Sequence, residues 1–152
     1  MDTFLDAPRG TGKIFLISLI LARIRSQNYT ALAIASSGIA AVLFDGGRAA
    51  HSALKLSLNI YRNPEAKCNI KKHSGMTEVL RKCKITIWDK CTMAHKHSLD
   101  ALDRSLKDIK DNIRLFGGAL LLPSGDFIKT LPVIPHAKYA VEINACLKGS
   151  YL

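Results

Sequence analysis

An open, mostly parallel α/β sheet with helices on its faces is the fold this sequence predicts, and three observations predict it. Short apolar runs that read as strands alternate with segments of helical period. The runs at 30–35, 84–88 and 119–123 are apolar on both faces, as parallel strands sandwiched between helices are. The first run, Thr3-Phe4-Leu5, passes through a Gly-rich turn straight into a helix. Strands wound this way bind ligands beyond their carboxyl ends.

The helix after that turn carries Phe15, Leu16, Ile17, Leu19, Ile20, Leu21 and Ile24. Apolar almost all round, it reads as buried. Asn28 closes it, and the strand at 30–35 follows. Ser36-Ser37-Gly38 opens a second helix running to Leu43, with Ser as N-cap, and Gly46-Gly47 stops it. Residues 54–73, with Pro64 and mixed charges, read as a long surface loop. A short helix is predicted over 74–82, then the inner strand 84–88 ending at Asp89. Leu99, Leu102, Leu106, Ile109 and Ile113 recur at helical spacing, with Asp100/Arg104 and Asp103/Lys107 as i,i+4 pairs on the outside. Gly117-Gly118 leads into the strand 119–123, which breaks at Ser124-Gly125-Asp126. The tail from Leu131 holds two prolines and a short helix near 142–147.

Chemistry concentrates at the strand ends. Gly10, Thr11, Gly12 and Lys13 begin the first helix, where unpaired N–H groups and the positive helix end favour a phosphate. This is the layout of a phosphate-binding loop, whose amides cradle the phosphates while a Lys reaches the β and γ groups. The pattern G-x-x-x-x-G-K-[ST] would place Gly at 7 and Ser or Thr at 14, where this chain has Ala7 and Ile14. Ile14 lacks the hydroxyl that would hold Mg²⁺. The plainer alternative is a Gly-rich turn before a core helix. Asp89 ends a strand, as a Mg²⁺-associated carboxylate would, though such an Asp is often just a cap. The next residue is Lys90, where ATPases commonly place a water-positioning Glu. It could pair with Asp89 or with a γ-phosphate in the space of Mg²⁺ and water. Gly125-Asp126 turns at the end of a third strand that should border the same place.

Composition sets the outer limits. The 152 residues, 48% hydrophobic and 22% charged, suit one globular domain over 1–152, without repeats, low-complexity segments or a second domain. The net charge of +10 suits a polyanion such as nucleic acid, with the basic residues scattered rather than blocked. Cys68, Cys83, Cys91 and Cys146 form no C-x-x-C pair and no metal-ligand rhythm with the His residues, so buried thiols in a reducing compartment are expected. The start Met1-Asp2-Thr3 lacks a basic signal region, and the apolar run 14–22 is too short to span a membrane. An intracellular chain with no membrane partner is the expectation.

In the order DAPRGTGK, IASSGIAAVLFDGGRAAHSALKL, ITIWDKCTMAHKHSLDALDRSL and FGGALLLPSGDFIKTLPVIP, these residues resemble the Pif-type (petite integration frequency) DNA helicases, in particular the branch spread with Helitron transposons. The resemblance covers nearly the whole chain. It implies the first RecA-like domain of a superfamily-one helicase that uses ATP and Mg²⁺ and moves 5′ to 3′ on single-stranded DNA. It also implies roles in DNA repair, recombination and telomere maintenance, in the nucleus or mitochondrion. By that resemblance Gly10, Thr11, Gly12 and Lys13 match the phosphate loop and Asp89 the Mg²⁺-associated carboxylate. Ser37, Gly38 and Ala40 fall in a segment that tracks the DNA backbone, and His51 and Ser52 in the next DNA-contacting motif. Gly125 and Asp126 match the motif that couples nucleotide state to DNA.

The departures fall on the chemistry. Where the family has Gly, Thr, Glu and Arg-Gln, this chain has Arg9, Ile14, Lys90, Ile128 and Lys129. The metal hydroxyl, the water-positioning acid and the phosphate-sensing amide are therefore missing. The family's adenine-contacting segment lies before the first strand, and its second RecA-like domain, with an arginine finger, lies beyond Leu152. Phosphoryl transfer rests on positioning and charge, and an arginine finger alone is worth ~10³–10⁵ in rate. The expectation is a helicase by descent whose isolated chain binds nucleotide or DNA without useful turnover. A small phosphoryl-transfer kinase would need an Arg-rich lid and an acceptor-binding domain, and neither is visible.

Overall fold

The computed structural model describes residues 3–128, 132, 134 and 139–147. Its sheet comprises β1 (Leu5–Asp6), β2 (Thr30–Ala35), β3 (Arg48–Ala49), β4 (Cys83–Asp89) and β5 (Leu120–Gly125), in the order β1-β5-β4-β2-β3. Every pairing is parallel. The helices are α1 (Lys13–Ser26), α2 (Gly38–Ala41), α3 (Ala50–Leu54), α4 (Gly75–Lys82), α5 (Lys96–Lys110) and α6 (Tyr139–Asn144). The predicted architecture holds, with β3 and α3 as two short elements that propensity did not suggest.

Alternation along the inner strands divides the core. Ala31, Ala33, Ile85 and Ile87 face one side and pack with Ile17, Leu21 and Phe44. Leu32, Ile34 and Trp88 face the other and join Leu54, Leu80, Leu99, Leu102 and Leu106. Helices thus cover both faces, which is why β2 and β4 read as continuous apolar runs. Two helix starts have side-chain caps of the expected kind. Ser37 Oγ accepts from the Ala40 N–H at 3.2 Å, and Ser74 Oγ from the Thr77 N–H at 3.3 Å.

Several expectations need correction. α1 is not buried all round. Ile17 and Leu21 are sealed, with Ile20 and Ile24 packed beside them, but Phe15 is 70% exposed and Ile14, Leu16 and Leu19 are exposed too. A helix lying on a sheet buries one stripe whatever the opposite side carries. Asp103 is not on the outside either. Its Oδ1 accepts from the Phe116 N–H at 2.6 Å and its Oδ2 from Lys107 Nζ at 2.6 Å, both at a buried carboxylate. Asp100 meets His97 at 3.0 Å, while Arg104 reaches the Pro64 and Ala66 carbonyls and Glu65. Ile113 lies beyond the end of α5 and is fully exposed.

The 54–73 segment crosses the surface but is stitched down by the buried side chains of Leu56, Ile60 and Cys68. The final helix sits earlier than predicted, and Ala145, Cys146 and Leu147 bury just after it. All four cysteines are buried free thiols. Lys129 and most of the proline-containing tail lie outside the described residues.

Candidate nucleotide site

β1, β5 and β4 run side by side, so their carboxyl ends deliver three loops to one place. The Ala7 N–H donates to the Gly125 carbonyl at 3.1 Å, and the Phe4 and Phe127 rings stack at 4.6 Å between centroids. These contacts lock the loop after β1 to the end of β5. In that loop Gly10 (φ 83°) and Gly12 (φ 81°) take left-handed backbone that L side chains rarely adopt. Thr11 Oγ closes the turn by donating to the Pro8 carbonyl at 2.8 Å. No side chain caps α1, which leaves its first N–H groups for a ligand.

Lys13 lies at the base of this turn. Its Nζ donates to the carbonyls of Ala7 and Gly125, each at 3.2 Å, and stands 3.9 Å from Asp89 Oδ1. Asp89 is buried, so its charge needs partners. One is the hydroxyl of Ser124, which donates to Oδ1 at 2.9 Å. Beside it, Cys91 Sγ donates to the Ser124 carbonyl at 3.2 Å, and burial is the main force pushing that thiol up to about 12. Gly125 is tight against Thr92, whose side chain would stand 2.7 Å from an added Cβ. The turn, the lysine, the carboxylate and the end of β5 are therefore one packed unit.

Above this unit opens a cavity of about 270 Å³, bordered by Pro8, Arg9, Gly10, Gly12, Lys13, Ile14, Leu43, Asp89 and Lys90. Three cationic residues and one carboxylate thus border the same cavity. The first-turn N–H groups, Lys13 and these charges fit a polyphosphate. They do not fit Mg²⁺. That ion takes near-octahedral oxygen ligands, mostly water and substrate phosphates, and needs from the protein one or two carboxylates and, in such loops, a hydroxyl. Here Ile14 is apolar, Lys90 is a cation, and Asp89 Oδ1 is occupied by Ser124 and Lys13. The suggested Lys90–Asp89 pairing is also absent among the described residues, where the ion pair of Asp89 is with Lys13.

The other predicted residues divide. Asp126 is buried next to the site and its Oδ1 accepts from the Ile128 N–H at 3.1 Å, shaping the turn after Gly125. Ser36 joins the end of β2 to β4, its N–H donating to the Asp89 carbonyl and its Oγ accepting from Trp88 Nε1. That carries Ser37 and exposed Gly38 to the same edge. Ala40 does not present a side chain to any ligand. It is 1% exposed and packs with Ala35 and Ala41. His51 and Ser52 are exposed on α3, a separate element. Ser124 was not singled out from sequence as a partner of Asp89. A serine closing the apolar run LLLP, directly before Gly-Asp, was the signal available.

The family model described as PIF1-like helicase matches residues 2–152. This chain belongs to that family. Among curated relatives, the ATP-dependent DNA helicase PIF1 of Candida albicans is 30% identical over 135 residues, 88% of this chain and 15% of its own length. The crystal structure of the Pif1 helicase from Candida albicans superposes with a TM-score of 0.78 at 27% identity, covering 98% of this chain and 33% of that one. The crystal structure of Bacteroides Pif1 bound to ssDNA superposes with a TM-score of 0.71 at 25% identity, over 93% of this chain and 32% of that one. The sheet described above is therefore the RecA-like domain of this family. The chain spans between 14% and 26% of the length of curated relatives it matches and about a third of the solved ones.

Proposed function

We propose that this chain is the first RecA-like domain of an ATP-dependent, 5′-to-3′ DNA helicase by descent, and that the polypeptide as it stands binds nucleoside triphosphate and single-stranded DNA without hydrolysing ATP. The observation that carries this reading is the packed unit of Gly10–Lys13, Asp89 and Gly125 beneath a cationic cavity. Lys13 and the first-turn amides would hold the phosphates, as such loops do. Gly125, bonded to the loop after β1, and Asp126 beside it would couple nucleotide state to DNA. Ser37, Gly38, His51 and Ser52 would meet the DNA backbone, aided by the net charge of +10.

Turnover is absent in this reading because no acid stands at position 90 to position water and no hydroxyl at 14 to hold the metal. Work in DNA repair, recombination and telomere maintenance, in the nucleus or mitochondrion, is the cellular role that goes with this lineage.

The test measures DNA-stimulated ATPase activity, ATP binding and single-stranded DNA binding on this chain. Expected are nucleotide binding, no turnover, and DNA affinity that falls steeply with salt and shows little sequence preference. A repaired form (Ile14→Thr, Lys90→Glu, Lys129→Gln) fused to a second RecA-like domain should regain hydrolysis. Turnover by the unrepaired chain, or a flat salt response, would contradict the reading.

A further inference from the structure

We infer that the cavity at the start of α1 takes a triphosphate in its metal-free form, with the ammonium of Lys90 supplying the charge compensation that a divalent cation would otherwise provide. This inference rests on the nucleotide-binding reading above and adds the ionic form of the ligand. Three features of the site combine to give it.

The first is the placement of Lys90. It follows Asp89 directly and takes a left-handed backbone (φ 52°, ψ 34°), held by the short turn in which the Met93 N–H donates to its carbonyl at 3.1 Å. Lys90 borders the cavity together with Lys13 and Arg9. Among the described residues no carboxylate lies within ion-pairing distance of its ammonium. A cation on a cavity wall without a protein counter-charge is available to an anionic ligand.

The second is the state of Asp89. One of its two oxygens is committed within the protein. Here Oδ1 already takes the Ser124 hydroxyl at 2.9 Å and stands 3.9 Å from Lys13. The side chain is 4% exposed, so the group serves to fix Lys13 and the end of β5. The third is Ile14, 41% exposed on the cavity wall, where an apolar side chain replaces a metal-binding hydroxyl. A divalent cation entering this space would meet Lys13, Arg9 and Lys90, and the side chain at position 14 would offer it no oxygen ligand. A triphosphate without its metal meets the same three cations as favourable partners. Charge-assisted hydrogen bonds from ammonium and guanidinium to phosphate oxygens are among the strong ones.

The experiment is calorimetric titration of ATP into the purified chain, once in EDTA and once in excess MgCl₂, for the unmodified chain and for Lys90→Met, Lys90→Glu and Lys90→Arg, each checked for folding by its melting curve. The unmodified chain should bind ATP in EDTA at least as tightly as with Mg²⁺. Lys90→Met and Lys90→Glu should weaken binding in EDTA by about tenfold or more. Lys90→Arg, which keeps the charge, should retain it. Binding that appears only with Mg²⁺ would overturn the inference and leave the nucleotide reading intact. Equal binding in EDTA by folded Lys90→Met would overturn the role of Lys90. No binding under either condition would overturn both readings together.

Discussion

Gly125 shows how a single position ties fold to site. Its carbonyl accepts from both the Ala7 N–H and Lys13 Nζ, while its α-carbon lies against Thr92. An added methyl would stand 2.7 Å from Thr92 Cγ2 and 2.9 Å from Oγ1, so one segment must shift. Gly125→Ala should destabilise the chain by about 1–3 kcal/mol, the usual cost of overpacking, and weaken nucleotide binding with it. Denaturant unfolding checks the first part, and an unchanged midpoint would argue that β5 and the turn after β4 are not packed as described. Sequence places the glycine in a turn, whereas β5 runs through Ser124 to end on it, because both residues pair with β1. The role of its neighbour Ser124 was not legible in the sequence, because nothing local marks a serine as the partner of a carboxylate 35 residues away.

At the scale of the element, α5 carries its own pH sensor. Its N-cap is His95, whose Nδ1 accepts from the His97 N–H at 3.2 Å, a bond that requires that nitrogen to be unprotonated. Burial first, then the neighbouring His97 and Lys96, lower its pKa from 6.5 to about 4, with Asp100 opposing. The unfolded chain therefore takes up the proton near pH 6.5 and the folded one only near pH 4. Stability from this group is complete above pH 6.5 and is lost as pH falls through that window toward 4. His95→Asn, which keeps a capping acceptor without the titration, should show a flatter decline in melting temperature between those values. Parallel curves for the two proteins would contradict the assignment.

The same helix explains what sequence pattern does and does not reveal. Its apolar period gave Leu99, Leu102 and Leu106 correctly, because burial of one stripe imposes that spacing. The Asp103/Lys107 spacing looked like a surface pair, yet Asp103 holds the backbone of Phe116, whose position depends on the turn after the helix. Burial of a charged group is decided by such distant partners. For α1 the failure is of another kind. A helix apolar on every side contains no periodic signal to tell the packed face from the open one.

Over the whole molecule, that open face has a measurable consequence. Phe15 is 70% exposed and Leu16 and Leu19 about half exposed, so this face of α1 leaves apolar surface open to solvent. Phe15→Lys with Leu19→Lys should leave unfolding stability within about 0.5 kcal/mol of the parent, since surface substitutions rarely exceed that. The double variant should also stay soluble at higher concentration, as a smaller apolar patch predicts. A large loss of stability in thermal melts would mean that the helix buries more than one stripe. The architecture itself was legible at this scale, since inner strands apolar on both faces imply covered parallel pairs. The two-residue strands at the edges, β1 and β3, and the five-residue α3 were blurred or missed because so short an element carries too little pattern.

The most direct test of the account is amide mapping by nuclear magnetic resonance as ATP is titrated into the ¹⁵N-labelled chain. Shifts should concentrate at Gly10–Lys13, at Asp89–Lys90 and at Gly125, and should vanish in Lys13→Ala. Shifts centred instead on the larger cavity of about 350 Å³ bordered by Lys67, Lys72, His73 and Arg81, or undiminished in that variant, would contradict it.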